Sequence, residues 1–421
     1  MTSEYTVLDM FAGAGGLTEG FFQTGYNMIS HIEMDFHAVM TLQTRILFHA
    51  LCKRNEKEIY YQYHSGEITR EEFLNICKII GIFETGIIYK EISSKTEDAI
   101  IQEIHNKLRI QGKNKIDVII GGPPCQAYSL IGRGRDPQGM RDDPRNLLYL
   151  HYLKFISEFE PEIFVFENVL GLKSARKGKI YSDFINKIKN LGYYIEQEPR
   201  ILNSRDFGAL QDRKRIFFIG WKKNRKLEYP IFTRSEQSYK AWVLFRDLHE
   251  LEPGEGTDGP QRYRRVKPSK YLREYQIRTD EKYVRHHIAR PHNERDRQIY
   301  RMAIQKWNEC KRRLRYYELP DVLKTHRNQY AFVDRFKVVD GDGLSHAVLA
   351  HLSQDGHHFI HPDIKQARSI TVREAARIQS FPDNYLFEGP RTQQFKQIGN
   401  AVPPLMARGI ARKVKEMLNQ L

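Results

Sequence analysis

Residues 7–17 read VLDMFAGAGGL, an apolar strand that runs into a glycine-rich turn and the start of a helix. Gly13, Gly15 and Gly16 allow the backbone of such a turn to approach a ligand and to direct helix N–H groups at it. A tight turn alone would explain the same glycines. The next apolar run ends in Glu33, and a carboxylate there can bond both hydroxyls of a ribose. The glycine-rich turn and Glu33 together predict a cofactor that contains a nucleoside. The absence of a GxGxxG motif counts against a dinucleotide.

Short apolar runs like the first recur through the first half of the chain. They are rich in Val, Ile and Phe and do not alternate with polar residues, which is typical of strands buried on both faces. The predicted strands span 6–11, 27–33, 87–92, 116–122, 162–169 and 215–221. Residues 147–159 and 182–191 have helical spacing. The alternation predicts an α/β fold with a mostly parallel sheet.

Two regions interrupt this alternation. Residues from about 45 to 115 contain a charged, helical insertion that could contact a partner, pair subunits or cap the sheet. Residues 223–361 lose the strand–helix alternation and contain loops such as EPGEG at 252–256. We therefore expect one domain from residues 1–222 and 362–421, and a smaller, irregular second domain from 223–361.

Composition excludes several classes of protein. Hydrophobic residues make up 40% of the 421 residues, as in ordinary globular proteins. No apolar stretch approaches the ~18 residues of a membrane span, and residues 1–10 do not resemble a secretory signal. The four cysteines (Cys52, Cys77, Cys125 and Cys310) form no CxxC pair. A disulfide framework or Cys-rich zinc site is not expected, and a reducing cytoplasm fits.

The positive charge is concentrated in the predicted second domain. The chain has 67 Lys and Arg against 52 Asp and Glu, a net charge of +15, and residues 222–330 alone hold 27 basic and 15 acidic residues. A basic stretch can be an ordinary solvated surface. The run KRRLRYY at 311–317, however, mixes cations with aromatic rings, which suits a phosphate backbone. We expect the partner to be nucleic acid.

A single cysteine stands out because of its position. Residues 121–129, GGPPCQAYS, follow a predicted strand directly and so belong to the carboxyl edge of the sheet, where doubly wound folds bind ligands. A lone cysteine is usually an inert buried side chain, but two prolines stiffen this loop and can expose Cys125. Because a free thiol has a pKa of about 8.5, a nucleophilic role requires nearby positive charge.

Other polar groups stand at the ends of the last two predicted strands. Glu167 could be a solubilising residue, or a partly desolvated carboxyl with a raised pKa that donates a proton to a ring nitrogen. Arg213 and Arg215 alternate along one strand, so both could face one anionic or carbonyl-bearing ligand. Surface arginines would give the same pattern.

Together these segments resemble the DNA (cytosine-5) methyltransferase family in its bacterial restriction-modification form. The matching segments are 9–17, 122–126, 167–169, 211–215, 369–382 and 397–404, in that order. The resemblance covers about residues 1–45, 85–222 and 340–421. It implies a Rossmann-like domain that uses S-adenosylmethionine, and it puts a variable target-recognition domain where the basic segment lies.

The resemblance also implies a reaction. A cytosine flipped out of a specific double-stranded DNA sequence would be methylated at C5. Cys125 would add to C6, Glu167 would protonate or hydrogen-bond N3, Arg215 would bind O2, and Arg213 would help to hold the substrate and the cysteine loop. The methyl donor would leave as S-adenosylhomocysteine, with no metal involved.

The resemblance also implies which residues would contact the methyl donor, S-adenosylmethionine. Phe11 would lie near the adenine, the glycine turn would meet the methionine end, and Glu33 would hold the ribose. Many relatives have Trp where this chain has Met34, and Glu91 with Ile92 stands where an Asp–Ile pair is expected. The implied donor site comprises Phe11, Gly13, Gly15, Gly16, Leu17, Glu33, Met34, Glu91, Ile92, Leu148, Asn400 and Ala401, with Asn168, Arg373 and Glu374 as scaffold residues.

Two alternatives remain. The transfer-RNA branch of the family methylates RNA cytosine and carries a Cys-Phe-Thr signature that this chain lacks. A catalytically silent, methylase-shaped DNA-binding subunit would not need the reacting groups, all of which are present. We expect a monomeric modification enzyme, cytoplasmic and associated with the nucleoid, without membrane contact, whose partner would be a separately acting restriction endonuclease.

Overall fold

The computed structural model describes residues 4–124, 147–236, 238–279, 281–325, 328, 330 and 333–421, without the side chains of 176 and 177. Its main feature is a sheet with the strand order β3-β2-β1-β4-β5-β9-β6, in which β7 also pairs with β9. The strands are β1 (Thr6–Met10), β2 (Asn27–Glu33), β3 (Ile87–Tyr89), β4 (Val118–Gly121), β5 (Ile163–Asn168), β6 (Tyr193–Tyr194), β7 (Arg200–Asn203), β8 (Gln211–Asp212), β9 (Lys214–Lys222), β10 (Gly256–Thr257), β11 (Gln261–Arg262), β12 (Tyr283–Val284), β13 (His287–Ile288) and β14 (Ser345–His346).

Helices connect and cover these strands. The α-helices are α1 (Gly16–Gln23), α2 (Phe36–Lys53), α3 (Lys57–Ser65), α4 (Arg70–Ile79), α5 (Glu97–Ile110), α6 (Leu148–Phe159), α7 (Lys179–Asn190), α8 (Lys270–Glu274), α9 (Glu294–Cys310), α10 (Val372–Ile378), α11 (Arg391–Asn400) and α12 (Pro404–Leu418). Short 3-10 helices span Leu170–Gly178, Ser204–Phe207, Ala241–Leu244, Tyr316–Glu318, Asp321–Leu323 and Ala350–Ser353.

The sheet is buried on both faces. Strands β1 to β5 run parallel, whereas β9 runs antiparallel to β5. One apolar core joins the sheet to α5, α6 and α7, and a second joins its other face to α1 and α12. Because both faces are covered, the strands need apolar side chains on both sides. The predicted α/β fold is confirmed, and a strand is found in each of the six predicted apolar runs. The strand predicted at 87–92 is shorter, because β3 ends at Tyr89 at the edge of the sheet.

A separate core lies in the second half of the chain. It draws on residues 241–277 and 339–398, which contain only short strand pairs and short helices. Residues 362–421 were predicted to belong together with the sheet; α12 does pack on the sheet, but α10 and α11 contribute to the separate core. We propose that the chain returns to the sheet domain near residue 403.

The predicted insertion at about 45–115 is shorter in the structure. Helices α3 and α4 pack on α2 in a small core of their own. Strand β3 instead pairs with β2, and α5 packs against the sheet. The prediction extended too far because the exposed face of α5 is charged and resembles the charged helices before it.

Helices α1 and α12 cross closely at Gly20. A Cβ atom built on Gly20 lies 2.3 Å from the carbonyl carbon of Ala407 and 2.3 Å from the amide nitrogen of Arg408. We expect Gly20→Ala to lower the free energy of unfolding by about 1–3 kcal/mol through overpacking, although Ala favours a helix. Urea unfolding would measure this.

Arg412→Ala is the matched control, because this exposed residue lies on the same helix α12. It should change stability by less than about 0.5 kcal/mol. Equal stability of Gly20→Ala and the wild type would contradict the close crossing.

Candidate active site

Parallel strands bring distant parts of the chain to one edge of the sheet. Strands β1, β2, β4 and β5 end there at Met10, Glu33, Gly121 and Asn168. Strand β9 is antiparallel and begins at this edge, where Ile216 pairs with Asn168. The glycine turn, Glu33, the start of the cysteine loop, Glu167 and the two arginines therefore share one edge.

The glycine turn is held by its neighbours. Gly13 and Gly15 have φ values of 57° and 84°, in the left-handed region that favours glycine. The Gly13 amide donates a hydrogen bond of 2.7 Å to Glu33 Oε2. A Cβ built on Gly16 would lie 2.8 Å from the Cβ of Ala401, so the start of α1 packs directly on that residue. The structure thus brings Ala401 to the turn, next to the exposed Asn400.

Glu33 is fixed at the end of β2. Its carboxylate accepts backbone N–H groups of Met34 at 2.9 Å and Asp35 at 2.7 Å, in addition to Gly13. Burial raises the pKa of Glu33, and the three N–H donors oppose that shift. The carboxylate is therefore oriented beside the turn before any ligand arrives.

Three large apolar side chains beside Glu33 are exposed. Met34 is 57% exposed, Phe36 54% and Tyr89 55%. Tyr89 is paired in register with Glu33, and the Phe36 and Tyr89 ring centroids are 6.2 Å apart. Exposed apolar side chains grouped at one place indicate a binding surface. Sequence reasoning found Met34 but missed Phe36 and Tyr89, because exposure of an aromatic side chain leaves no signal in the sequence.

The other predicted donor contacts differ in exposure. Phe11 and Leu148 are half-buried, and Glu91 is exposed. Leu17 and Ile92 are buried in the two cores on opposite faces of the sheet. These two side chains support the edge from within the cores.

Glu167 forms an ion pair at the same edge. Its Oε1 lies 3.1 Å from Nε of Arg215, and the two side chains are 15% and 12% exposed. Burial raises the pKa of Glu167, whereas the charges of Arg215 and Arg213 lower it; the raising effect dominates. Glu167 is thus a carboxyl group that binds a proton more readily than an ordinary glutamate.

The start of the cysteine loop lies directly against this carboxylate. A Cβ built on Gly122 would be 2.6 Å from Glu167 Oε2, so glycine permits the contact. Asn168 Nδ2 donates to the carbonyl of Pro123 at 3.4 Å. Cys125, the next residue but one after Pro123, lies outside the described residues.

Arg213 differs from Arg215 in its contacts. It is fully buried, and its guanidinium donates to the carbonyls of Val348 at 2.6 Å and Gly399 at 3.0 Å. The two arginines were predicted to share a face because they alternate. Arg213, however, lies between β8 and β9, and its guanidinium joins the sheet to two segments of the second half of the chain.

The predicted scaffold residues have the expected role. Arg373 is buried and donates to the carbonyls of Arg285, Pro382 and Tyr385. Glu374 accepts from Arg368 and from the backbone of Thr371. Asn168 has the loop contact described above.

The edge therefore brings together a carboxylate oriented by backbone N–H groups, an exposed apolar surface, and a carboxyl of raised pKa beside a cation. Within the described part of the chain, no cluster of three or more metal-ligating side chains is found. No helix in that same part is long and apolar enough to cross a membrane.

Comparisons with known proteins identify the family of the chain. A model of the family of C-5 cytosine-specific DNA methylases matches residues 84–416. The type II methyltransferase M.Bpa9945I of Bacillus paralicheniformis is 41% identical, with 98% of this chain and 99% of the relative covered. M.DdeI of Desulfomicrobium norvegicum is 31% identical, with 97% and 88% covered.

Solved structures share the fold. A prophage-encoded protein of E. coli has a TM-score of 0.64 at 22% identity, with 99% of this chain and 100% of that chain covered. The methyltransferase EhMeth of Entamoeba histolytica has a TM-score of 0.55 at 15% identity, with 99% of each chain covered.

The raised pKa of Glu167 predicts how stability depends on pH. Because the folded protein binds this proton more tightly than the unfolded chain, the stabilisation is complete below about pH 4.5 and is lost as pH rises through the raised pKa. The wild type should therefore lose stability relative to Glu167→Gln as pH increases from 4.5. Thermal unfolding midpoints across this range would measure the difference.

Arg215→Gln provides a second comparison. Without the cation, the pKa of Glu167 should rise further, so the loss of stability should continue to higher pH than in the wild type. A constant difference in midpoint between the wild type and Glu167→Gln at all pH values would contradict the raised pKa.

Proposed function

Since the chain belongs to the C-5 cytosine-specific DNA methylase family, we propose that it methylates a flipped-out cytosine through a covalent Cys125 adduct. The chain is a DNA (cytosine-5) methyltransferase of the restriction-modification type. The observation that carries the proposal is the contact of Gly122 with Glu167, because it aligns the start of the cysteine loop with a protonatable carboxyl. The proposed catalytic residues are Cys125, Glu167 and Arg215, and Arg213, predicted from the sequence as a fourth, is proposed to act as a positioning residue.

The proposed methyl donor is S-adenosylmethionine, which supplies a methyl group already activated on a positively charged sulfur. Glu33 is oriented to hold the ribose hydroxyls, and the exposed surface of Met34, Phe36 and Tyr89 suits the adenine. The turn at 13–16 presents the N-terminus of α1 to the methionine part. The proposed donor site also includes Phe11, Leu17, Glu91, Ile92, Leu148, Asn400 and Ala401.

C5 of cytosine is a poor nucleophile, and Cys125 and Glu167 are proposed to activate it. The Cys125 thiolate forms a bond to C6 while Glu167 gives a proton to N3, and the resulting enamine makes C5 nucleophilic. After C5 has taken the methyl group, a base from the solvent removes the C5 proton. Elimination of the thiolate from C6 then returns the N3 proton to Glu167 and releases 5-methylcytosine. Arg215 holds O2 of the base, and Arg213 keeps the edge joined to Val348 and Gly399.

The proposed substrate is double-stranded DNA, bound between the sheet domain and the basic second half of the chain. Extruding one base from the duplex costs a few kcal/mol. The cationic residues of 222–330 favour DNA binding and so support this arrangement. We further propose that the enzyme acts as a monomer, and that a restriction endonuclease recognises the same sequence separately.

Replacing Cys125 tests the reaction. Cys125→Ala should abolish tritium transfer from labelled S-adenosylmethionine to DNA, while gel-shift binding of DNA is retained, because only the nucleophile is removed. DNA containing 5-fluorocytosine should form a denaturant-stable complex with the wild type only, since fluorine cannot leave C5 as a proton does. Bisulfite sequencing of DNA from expressing cells would identify the modified base and its context.

Cys52→Ala is the matched control and should keep full activity. Methyl transfer by Cys125→Ala would contradict the proposed nucleophile. Transfer to transfer RNA instead of DNA would favour the RNA alternative, and DNA binding by a wild type that transfers no methyl group would favour the silent subunit.

Replacing Glu33 tests the donor site. Glu33→Ala should raise the Kd for S-adenosylhomocysteine about 10- to 100-fold, as expected for loss of hydrogen bonds to a charged group. Isothermal titration calorimetry would measure the Kd. Glu71→Ala removes an exposed carboxylate on α4 and should leave the Kd unchanged. Wild-type affinity in Glu33→Ala would exclude Glu33 as the ribose ligand.

A further inference from the structure

We propose that Tyr385 is a positioning residue for the glycine turn at residues 13–16, where the methyl donor is proposed to bind. The helical insertion α3–α4 holds Tyr385 in place. Tyr385 lies in the core of the second half of the chain, but its hydroxyl reaches the sheet domain and donates to the carbonyl of Ala14. The proposal rests on the proposed function, because it assigns a role at the donor site.

The contact acts on the residue between two glycines of the turn. Ala14 lies between Gly13 and Gly15, both with positive φ. Glycine has more backbone freedom than other residues, so an unrestrained turn would have to be ordered when a ligand binds. Glu33 fixes one side through the Gly13 amide, and Tyr385 fixes the other through the Ala14 carbonyl.

Tyr385 cannot easily move away from the turn. Its buried ring packs against Phe381 and Phe387, with centroid distances of 4.8 and 5.2 Å. Arg373 donates to the backbone carbonyls of Pro382 and Tyr385. The position of the hydroxyl is therefore set by the core of the second half of the chain.

The insertion holds the segment that carries Tyr385. The Tyr60 hydroxyl on α3 donates to the carbonyl of Asn384. Tyr63 Oη donates to Glu388 Oε1 at 2.9 Å, and Arg70 Nε on α4 lies 3.3 Å from the same oxygen. These contacts fix both ends of residues 384–388.

Packing supports the same connection. Leu386 is buried in the small core formed by α2, α3 and α4. Arg45 of α2 lies over the Tyr385 ring, with 4.7 Å from Cζ to the ring centroid, and donates to Asn384 Oδ1 at 3.0 Å. Through the contacts of Leu386, Tyr60, Tyr63 and Arg70, the insertion acts together with Arg45 of α2 to preorganise the glycine turn, which lowers the ordering cost of binding.

Tyr385→Phe tests the role of the hydroxyl because it removes one oxygen atom. The Kd for S-adenosylhomocysteine, measured by calorimetry, should rise about five- to tenfold, the effect of losing one hydrogen bond. The KM for S-adenosylmethionine should rise similarly, whereas kcat at saturation should stay within about twofold.

Tyr26→Phe is the matched control. Tyr26 is also buried, and its hydroxyl donates to a backbone carbonyl, that of Ala411, away from the turn. It should lower stability without changing the Kd. A wild-type Kd in Tyr385→Phe, or an equal rise in Tyr26→Phe, would overturn the proposal.

A double-mutant cycle tests the insertion. Tyr60→Phe should raise the Kd about two- to fourfold, and Tyr60→Phe combined with Tyr385→Phe should bind no more weakly than Tyr385→Phe alone, because Tyr60 acts through Tyr385. Additive effects would overturn the role of the insertion. A wild type that neither methylates DNA nor binds S-adenosylhomocysteine would instead contradict the proposed function.

Discussion

Parallel pairing of β1, β2, β4 and β5 is the constraint on which the site depends. Each of these strands must end at the same edge, so loops that are far apart in sequence meet there. The burial of the sheet on both faces makes this arrangement rigid. The backbone therefore holds the turns and side chains at the strand ends, from the glycine turn to Glu167, in fixed positions.

Burial and charge act in opposite directions at the edge. Glu33 and Glu167 are both partly withdrawn from water, which raises their pKa values. Backbone N–H groups oppose the shift at Glu33, whereas the cations of Arg215 and Arg213 oppose it at Glu167. The net shift is upward for both carboxyl groups. They differ in their partners, because Glu33 accepts three backbone N–H groups and Glu167 faces the cation of Arg215.

The second half of the chain is joined to the sheet by buried polar contacts. Arg213 bonds to Val348 and Gly399, and Tyr385 bonds to Ala14. Inside that half, Arg377 lies between Asp247 and Asp383, and this pairing holds the pKa of Asp247 below its ordinary value despite burial. Breaking such a pair leaves a buried charge without a partner. This pairing therefore stabilises the interior of the second half, whereas the contacts of Arg213 and Tyr385 join that half to the sheet.

The sequence alone located the sheet strands, Glu33 and Glu167, because a buried parallel strand has a local apolar pattern whose end marks the edge. It did not reveal that Phe36 and Tyr89 are exposed or that Arg213 is buried and bonds to backbone carbonyls of the second half. Nor did it reveal that the insertion is limited to α3 and α4. It also gave no sign that Tyr385 touches Ala14, 371 positions away. These features were decided by tertiary structure, because exposure and contact depend on which distant segments pack together, and no local pattern records that choice.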